Sequence, residues 1–484
     1  MKIAIVAAEI TPWAKVGGLA DVIGALPAAL KANGAEAAVI LPGYRGLLES
    51  LKATPVAEGL AVAVGAEVER FDLLRAEGTG GVPLYLVHHP RNFARPGVYG
   101  EQGKDYPDNL PRYIMFGRAA ALAAARVIQP EVLHAHDWHA AVAPIVARAD
   151  PALREAFSRT AIVFTLHNLA FQGIFDAADY GLLNLDPSYF SVDCLEFWGR
   201  VNLMKGAIVL ADGASTVSPS YARETATDPE LGFGLEGVLR AKGGRYVGIL
   251  NGADYKEWNP ATDPLIAARY TPERREGKSV CRRALLKVVG LPEHGEGPVL
   301  GMVTRMTSQK GVDLLGEALE ALMALDVRLV ILGSGDPALE KLFKAAEERF
   351  ADRLRIRLAF DNALAHQIQA GSDIFLMPSR FEPCGLTQMY ALKYGTAPLV
   401  RATGGLRDTV VEFDPQTGTG NGFVFSDYRP EALLEAAGRA RRVFADRTAW
   451  QRLMDNCFAA DFSWNVSARH YLQWFAELRR ARGL

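Results

Sequence analysis

Lys2-Ile3-Ala4-Ile5-Val6-Ala7-Ala8 opens the chain as a short apolar run. Glu9–Gly18 then forms a glycine-containing loop ahead of the amphipathic run Leu19–Lys31, which Asn33-Gly34 closes. The same order returns at Val299–Thr304 (apolar), Arg305–Gly311 (polar loop) and Val312–Leu325 (amphipathic). A short apolar run bounded by turn residues reads as a buried strand, and apolar residues at helical spacing read as a helix. Each segment therefore predicts strand, loop, helix. The alternation continues after both. Candidate strands follow at Ala37–Leu41, Leu84–Val87, Val132–Ala135, Ala161–Leu166 and Ala214–Val217, and then at Arg328–Leu332, Arg355–Ala359, Ile374–Met377 and Ala397–Val400. Strands alternating with helices imply parallel sheets covered on both faces. Two doubly wound α/β domains facing a cleft are expected, with ligands outside the carboxyl ends of the strands.

Length supports two domains: 484 residues exceed the ~250–300 at which a single core stops growing. Asn259–Gly297 is rich in Pro, Gly and charge and is the expected junction. It separates a first domain, 1–258, from a second, 259–462; Trp464–Arg480 reads as a terminal helix carrying aromatic residues. The net charge of −2 offers no basic excess for nucleic acid or an anionic membrane. No apolar stretch approaches the ~18–20 residues of a membrane span. Glu9 interrupts the first apolar run before a secretion signal develops. Cys194, Cys281, Cys384 and Cys457 lie far apart with no C-x-x-C pair, which indicates neither a zinc ribbon nor a disulfide framework and suits a reducing cytoplasm.

In a doubly wound sheet the loops after strands are the places for ligand chemistry. In Lys15-Val16-Gly17-Gly18-Leu19-Ala20-Asp21, two glycines let backbone approach a ligand, the following helix offers free N–H groups, and Lys15 adds a point charge for phosphate; a plain glycine turn with a surface lysine is the alternative. Arg305-Met306-Thr307-Ser308-Gln309-Lys310-Gly311 sets two cations at a strand end, where they can neutralise a diphosphate, or it is a solvated basic loop. In Ser379–Thr387, Glu382 either caps a helix or accepts from ligand hydroxyls while the amides after Cys384 meet phosphate. Cys384 has no histidine partner in sequence to make it a nucleophile. Thr403-Gly404-Gly405-Leu406-Arg407-Asp408 repeats the two-glycine pattern, against the same ligand or as a turn. His134-Ala135-His136-Asp137-Trp138-His139 has the residue types of a metal site, but the metallohydrolase order H-x-H-x-D-H is absent and only His167 offers a further ligand. The other reading is a strand end where Asp137 and one histidine face the cleft and the rest pack. His167-Asn168 ends the strand Ala161–Leu166, and Asn251-Gly252-Ala253-Asp254 reads first as a turn. No D-x-D triplet occurs.

Together, Lys15–Asp21, His134–His139, His167–Gly173, Asn251–Asp254 with Trp258-Asn259-Pro260, Arg305–Gly311, Pro378–Gln388 and Thr403–Asp408 resemble the bacterial glycogen synthases and plant starch synthases, in that family's order and over nearly the whole chain. The resemblance implies the two-Rossmann GT-B fold, with the last helix (463–484) crossing back to the first domain. It implies a hexosyltransferase that moves glucose from ADP-glucose to an α-1,4-glucan with retention of configuration, without metal or other cofactor. Residue by residue, it implies that Lys15 and Gly18 meet the donor diphosphate from the first domain and Arg305 and Lys310 from the second, with Gly17 and Asp21 among the substrate-binding residues. Glu382 would hold sugar or ribose hydroxyls, and Cys384, Gly385, Leu386 and Thr387 would present amides. Asp137, His167 and Asn251 would line the glucose pocket, and Phe360 stands where an aromatic stacks on adenine. Many members have Thr where this chain has Val16, so any contact from that hydroxyl is lost.

The expected mechanism places Arg305, Lys310 and helix N-termini against the charge developing on ADP. Front-face attack is preferred to double displacement, because no carboxylate is identifiable against the far face of the sugar. Cleft closure on the donor follows if both domains bind one diphosphate. Tyr99 and Trp138 are expected as exposed aromatics for glucan contact. The alternatives are a UDP-glucose-dependent or other-acceptor glucosyltransferase, a metallohydrolase built on His134–His139, a silent glucan-binding protein and, with no dinucleotide fingerprint, a nicotinamide dehydrogenase. Oligomeric state is not legible.

Overall fold

The computed structural model describes residues 1–101 and 104–484. The chain divides into two compact units. One comprises Met1–Gly252 with Trp464–Leu484, the other Ala253–Ser463.

The first unit is built on β1 (Lys2–Val6), β2 (Glu36–Pro42), β3 (Thr54–Val64), β4 (Glu67–Glu77), β5 (Pro83–His88), β6 (Val132–His136), β7 (Ala161–Leu166), β8 (Gly213–Thr216) and β9 (Tyr246–Gly248). They form one nine-stranded sheet in the order β9-β8-β7-β6-β1-β2-β5-β4-β3. All pairs are parallel except β3–β4 and β4–β5. Residues 3–6 of β1 and all of β6 and β7 are buried, as continuous apolar runs between two helical layers must be. Three strands of this sheet escape sequence reading: β3 and β4 are exposed over much of their length and carry no continuous buried run, and β9 has only three residues. The terminal helix, Trp464–Ala481, packs Trp474 and Leu478 against Gly213 and sets Tyr471 and Phe475 on the ring of His134.

The second unit contains β10 (Val299–Val303), β11 (Arg328–Leu332), β12 (Leu354–Arg357), β13 (Ile374–Met377), β14 (Ala397–Arg401) and β15 (Phe423–Phe425). Its sheet has the order β12-β11-β10-β13-β14-β15 and is parallel throughout. The expected junction at Asn259–Gly297 is corrected here. Residues 253–297 belong to the second unit, and the helix Glu276–Val289 buries Leu285, Leu286 and Val289 in its core with Val299, Val330, Ile368 and Phe375. Trp258 also belongs there rather than at the end of the first domain, because its indole stacks on His366 (3.8 Å between centroids) and Tyr390 (4.4 Å). No helix among the described residues is long and apolar enough to cross a membrane.

Both sheets reverse direction of strand order beside their first strand: β1 lies between β2 and β6, and β10 between β11 and β13. The loops after β1, β6, β10 and β13 thus emerge at the switch points where doubly wound sheets bind ligands.

Candidate active site

In the first unit, the loop after β1 is organised by Glu9. Its buried carboxylate accepts the N–H groups of Val16 (2.9 Å) and Gly17 (2.7 Å) through Oε2 and the Tyr99 hydroxyl (2.7 Å) through Oε1. Lys15 is exposed and pairs with Asp21 at 2.6 Å, which also accepts from Thr11 Oγ1 at 3.1 Å. A Cβ added to Gly17 or Gly18 would find no atom within 4 Å. The fold does not demand these glycines, so the open space before the helix Gly18–Ala32 is a property of the site. Glu9 was missed by sequence reasoning because a single acidic residue after a strand carries no pattern; its three donors come from two other segments.

The histidine motif separates by direction. His134 Nε2 bonds Thr165 Oγ1 (2.6 Å) and His136 Nδ1 bonds His167 Nε2 (2.9 Å). His139 stacks on Tyr99, with centroids 4.1 Å apart. Among the described residues no three His, Cys, Asp or Glu side chains converge on a point that could hold a metal, so the metallohydrolase reading loses its geometry. Burial holds the His134 and His167 imidazoles down at about 3, so both are neutral near pH 7. Asp137 has a left-handed backbone, φ 57°, which is uncommon outside glycine and turns its side chain back so that Oδ1 accepts the His167 N–H at 2.8 Å. Burial pushes its carboxyl up to about 7, against that hydrogen bond and aided by repulsion from Glu9. Asn251 is 6% exposed, and its Oδ1 meets no donor among the described residues. A buried acceptor without a partner is costly, and a ligand hydroxyl would satisfy it.

Tyr99 and Trp138 are corrected as glucan platforms. Both are half-buried. Tyr99 is held by Glu9 and His139, and Trp138 lies against His139, Tyr113 and Phe175.

In the second unit, Lys310 Nζ lies 2.6 Å from Glu382 Oε2, which also accepts from Ser379 Oγ at 3.2 Å. Arg305 is exposed, and its guanidinium makes no hydrogen bond or ion pair among the described residues. Gly311, at φ 72°, ends the basic loop where a Cβ would stand 2.0 Å from the Pro378 carbonyl. This close approach brings the loops after β10 and β13 together. The Thr403–Asp408 loop is fastened from the other side: Gly405 N–H donates to the carbonyls of Glu382 (3.1 Å) and Pro383 (3.2 Å), and a Cβ on Gly404 would stand 2.0 Å from the Glu382 oxygen. Its glycines therefore serve close packing on the Glu382 loop. Cys384 is buried and forms no disulfide. Gly385 takes φ 71° and Gln388 Nε2 holds the carbonyls of Cys384 and Gly385, which fixes the turn into the helix Thr387–Lys393. Phe360, beyond the end of β12, is 95% exposed.

A family model for the starch synthase catalytic domain matches residues 2–241, and one for glycosyl transferases group 1 matches residues 289–442. The chain is 43% identical to a glycogen synthase of Koribacter versatilis, covering 100% of this chain and 99% of that one. It is 45% identical to a glycogen synthase of Anaeromyxobacter dehalogenans, covering 97% and 98%. Its structure is similar to the catalytic domain of starch synthase IV from Arabidopsis thaliana bound to ADP and acarbose, with a TM-score of 0.88, 34% identity and 99% of each chain covered. A sucrose-phosphate synthase from Thermosynechococcus elongatus, 18% identical with a TM-score of 0.60, shares the fold. With such identity sustained end to end, two doubly wound units of the GT-B kind and the motif loops at their switch points, this chain belongs to the glycogen synthase family.

Proposed function

We propose that the protein is a glycogen synthase, transferring glucose from ADP-glucose to the non-reducing end of an α-1,4-glucan with retention and release of ADP. The observation that carries this reading is full-length similarity to glycogen synthases together with Arg305 and the Lys310–Glu382 pair at the second switch point. The related starch synthase IV domain binds ADP and acarbose, which supports adenine as the donor base; Phe360, 95% exposed, is the ring offered to it.

Arg305 and Lys310 of the second unit meet the donor diphosphate; within the first unit, Lys15 and the amides of Gly17 and Gly18 form an anion-binding loop in which Asp21 positions Lys15. Gly385, Leu386 and Thr387 present N–H groups at a helix start, where they lack intrahelical partners, and Cys384 shapes that turn. Glu382 accepts from donor hydroxyls. Asn251 Oδ1 accepts a glucose hydroxyl. His167 is neutral, its Nε2 engaged by His136, so Nδ1 addresses the sugar. The acceptor hydroxyl attacks the anomeric carbon as the bond to the phosphate oxygen breaks. The electron pair leaves on ADP, and the acceptor proton passes to the departing phosphate oxygen on the same face. Asp137 suits positioning better than nucleophilic attack, since its carboxyl is held near 7 and tied to the His167 amide. The reaction belongs in the cytoplasm, consistent with four buried cysteines outside any disulfide.

The test supplies purified protein with glycogen and either ADP-glucose or UDP-glucose and measures nucleotide release and polymer growth. ADP release with incorporation is expected. Activity with UDP-glucose alone would change the donor, and a trapped glucosyl-enzyme adduct on Asp137 or Glu382 would refute front-face attack.

A further inference from the structure

Resting on that reading, we propose that Trp198 and Phe233, with Phe171 beside them in the chain path from His167, form a platform that binds the glucan acceptor beyond the glucose pocket.

Trp198 is 83% exposed, Phe171 64% and Phe233 37%. Trp198 occupies a position few sequences would give it. Glu196–Phe197 and Arg200–Asn202 form a hairpin in which Phe197 pairs with Arg200, leaving Trp198-Gly199 as a two-residue turn with φ of 55° and 75°. Such turns favour Asn-Gly or Gly-Gly, because both central residues take the left-handed region. Here an indole is held in strained backbone and left in water. Phe233 repeats the pattern, at φ 48° before Gly234. The Gly234 backbone lies against the Phe197 ring, 2.9 Å from where its Cβ would be, and near Trp198 Nε1.

One buried amide ties these segments together. Gln172 accepts from Asn202 Nδ2 (2.5 Å) and donates to the Phe233 carbonyl (3.1 Å). Its neighbour Phe171 closes a turn on Asn168, next to His167, and the backbone carbonyls of Gln172 and Gly173 accept the N–H groups of Met204 and Leu203 just after the hairpin. The platform is thus continuous with the loop that carries His167, in the same unit. Trp198 meets the Phe197 ring edge-on, with centroids 6.2 Å apart, and the charged Asp176 and Arg200 stand well exposed on the same hairpin and the strand beside it, whereas a protein partner buries a contiguous apolar face. A flat ring with polar groups around it suits the C–H face and hydroxyl rim of an uncharged sugar chain.

The test compares wild type with Trp198→Gly, which removes the ring while relieving the turn, and Trp198→Phe, which keeps a ring. Each is run in native gels containing glycogen without donor, and its KM is measured for glycogen and for maltotriose. Trp198→Gly is expected to weaken retardation and raise the glycogen KM about 3- to 10-fold, the effect of one aromatic contact. The maltotriose and ADP-glucose KM stay within about twofold, and Trp198→Phe recovers most of the loss. Unchanged retardation and glycogen KM would overturn the platform, as would a change of oligomeric state in light scattering, which would assign the ring to a second copy. Retardation that depends on Trp198 in a protein inactive with both nucleotide sugars would uphold the platform while refuting the proposed function.

Discussion

Lys310 is asked to do two things, and they can be separated. Its ammonium neutralises Glu382, whose side chain is 7% exposed, at 2.6 Å, and in the proposed reaction it also meets the leaving diphosphate. Lys310→Ala leaves Glu382 buried with Ser379 as its remaining hydrogen-bond partner on that oxygen. Removing one member of a buried pair costs ~3–5 kcal/mol. Since Lys310 is itself 20% exposed, water can partly replace it, and about 3 kcal/mol is the appropriate end of that range. For a unit of this size, Ala253–Ser463, each kcal/mol moves the midpoint by about 2–4 °C, so the second unit should melt about 6–12 °C lower. Adding Glu382→Gln removes the stranded charge and should restore most of that loss. Rate follows a different rule: losing one group that stabilises leaving-group charge costs about 100- to 1,000-fold in kcat, and the double variant stays slow. Calorimetry and initial rates of ADP release on wild type, both single variants and the double variant check this. A double variant that melts as low as Lys310→Ala, or that recovers rate along with stability, would refute the reasoning.

Asp137 gives a pH signature: a carboxyl raised from 3.8 to about 7 contributes stability that is fully present below about 4 and lost as pH rises toward 7, so Asp137→Asn should flatten that slope and melt higher than wild type at pH 8; an unchanged slope in urea titrations at several pH values would contradict it. The glycines divide by role. Gly17→Ala should leave melting unchanged, since nothing lies within 4 Å of its Cβ, yet raise the ADP-glucose KM. Gly311→Ala should lose at least about 1–2 kcal/mol, from the left-handed backbone and the Pro378 oxygen in its way; equal melting of the two variants would defeat this. Glu9→Gln sets an –NH2 against one of three donors and should raise the ADP-glucose KM by about 10- to 100-fold, the loss of about one hydrogen bond to a charged acceptor, with no change for this variant counting against a role in holding the Lys15 loop.

The division of the chain into two parallel α/β sheets was legible because a strand buried on both faces is mostly apolar, and β1, β7, β10, β11 and β13 are written that way. Lys15, Arg305, Lys310 and Glu382 were legible for a related reason: in such a sheet the loops at the carboxyl ends of strands are the places for ligand chemistry, and these residues stand in them. Long-range partners were not legible. Glu9 acquires meaning when Tyr99 and two loop amides converge on it, and the histidines could be read as metal ligands until Thr165, His167 and Tyr99 claimed their rings. The Asn259–Gly297 stretch looked like a linker because its composition is polar and rich in Pro and Gly, yet Leu285, Leu286 and Val289 sit on one helical face and are buried by β10 and β11. Local sequence determines which elements form and which loops end strands, because periodicity and backbone preference act over a few residues. Which side chains meet, which are left in water as Trp198 and Phe360 are, and which carboxyl is pushed toward neutrality as Asp137 is, only the tertiary structure decided, because burial and contact are properties of segments far apart in the chain.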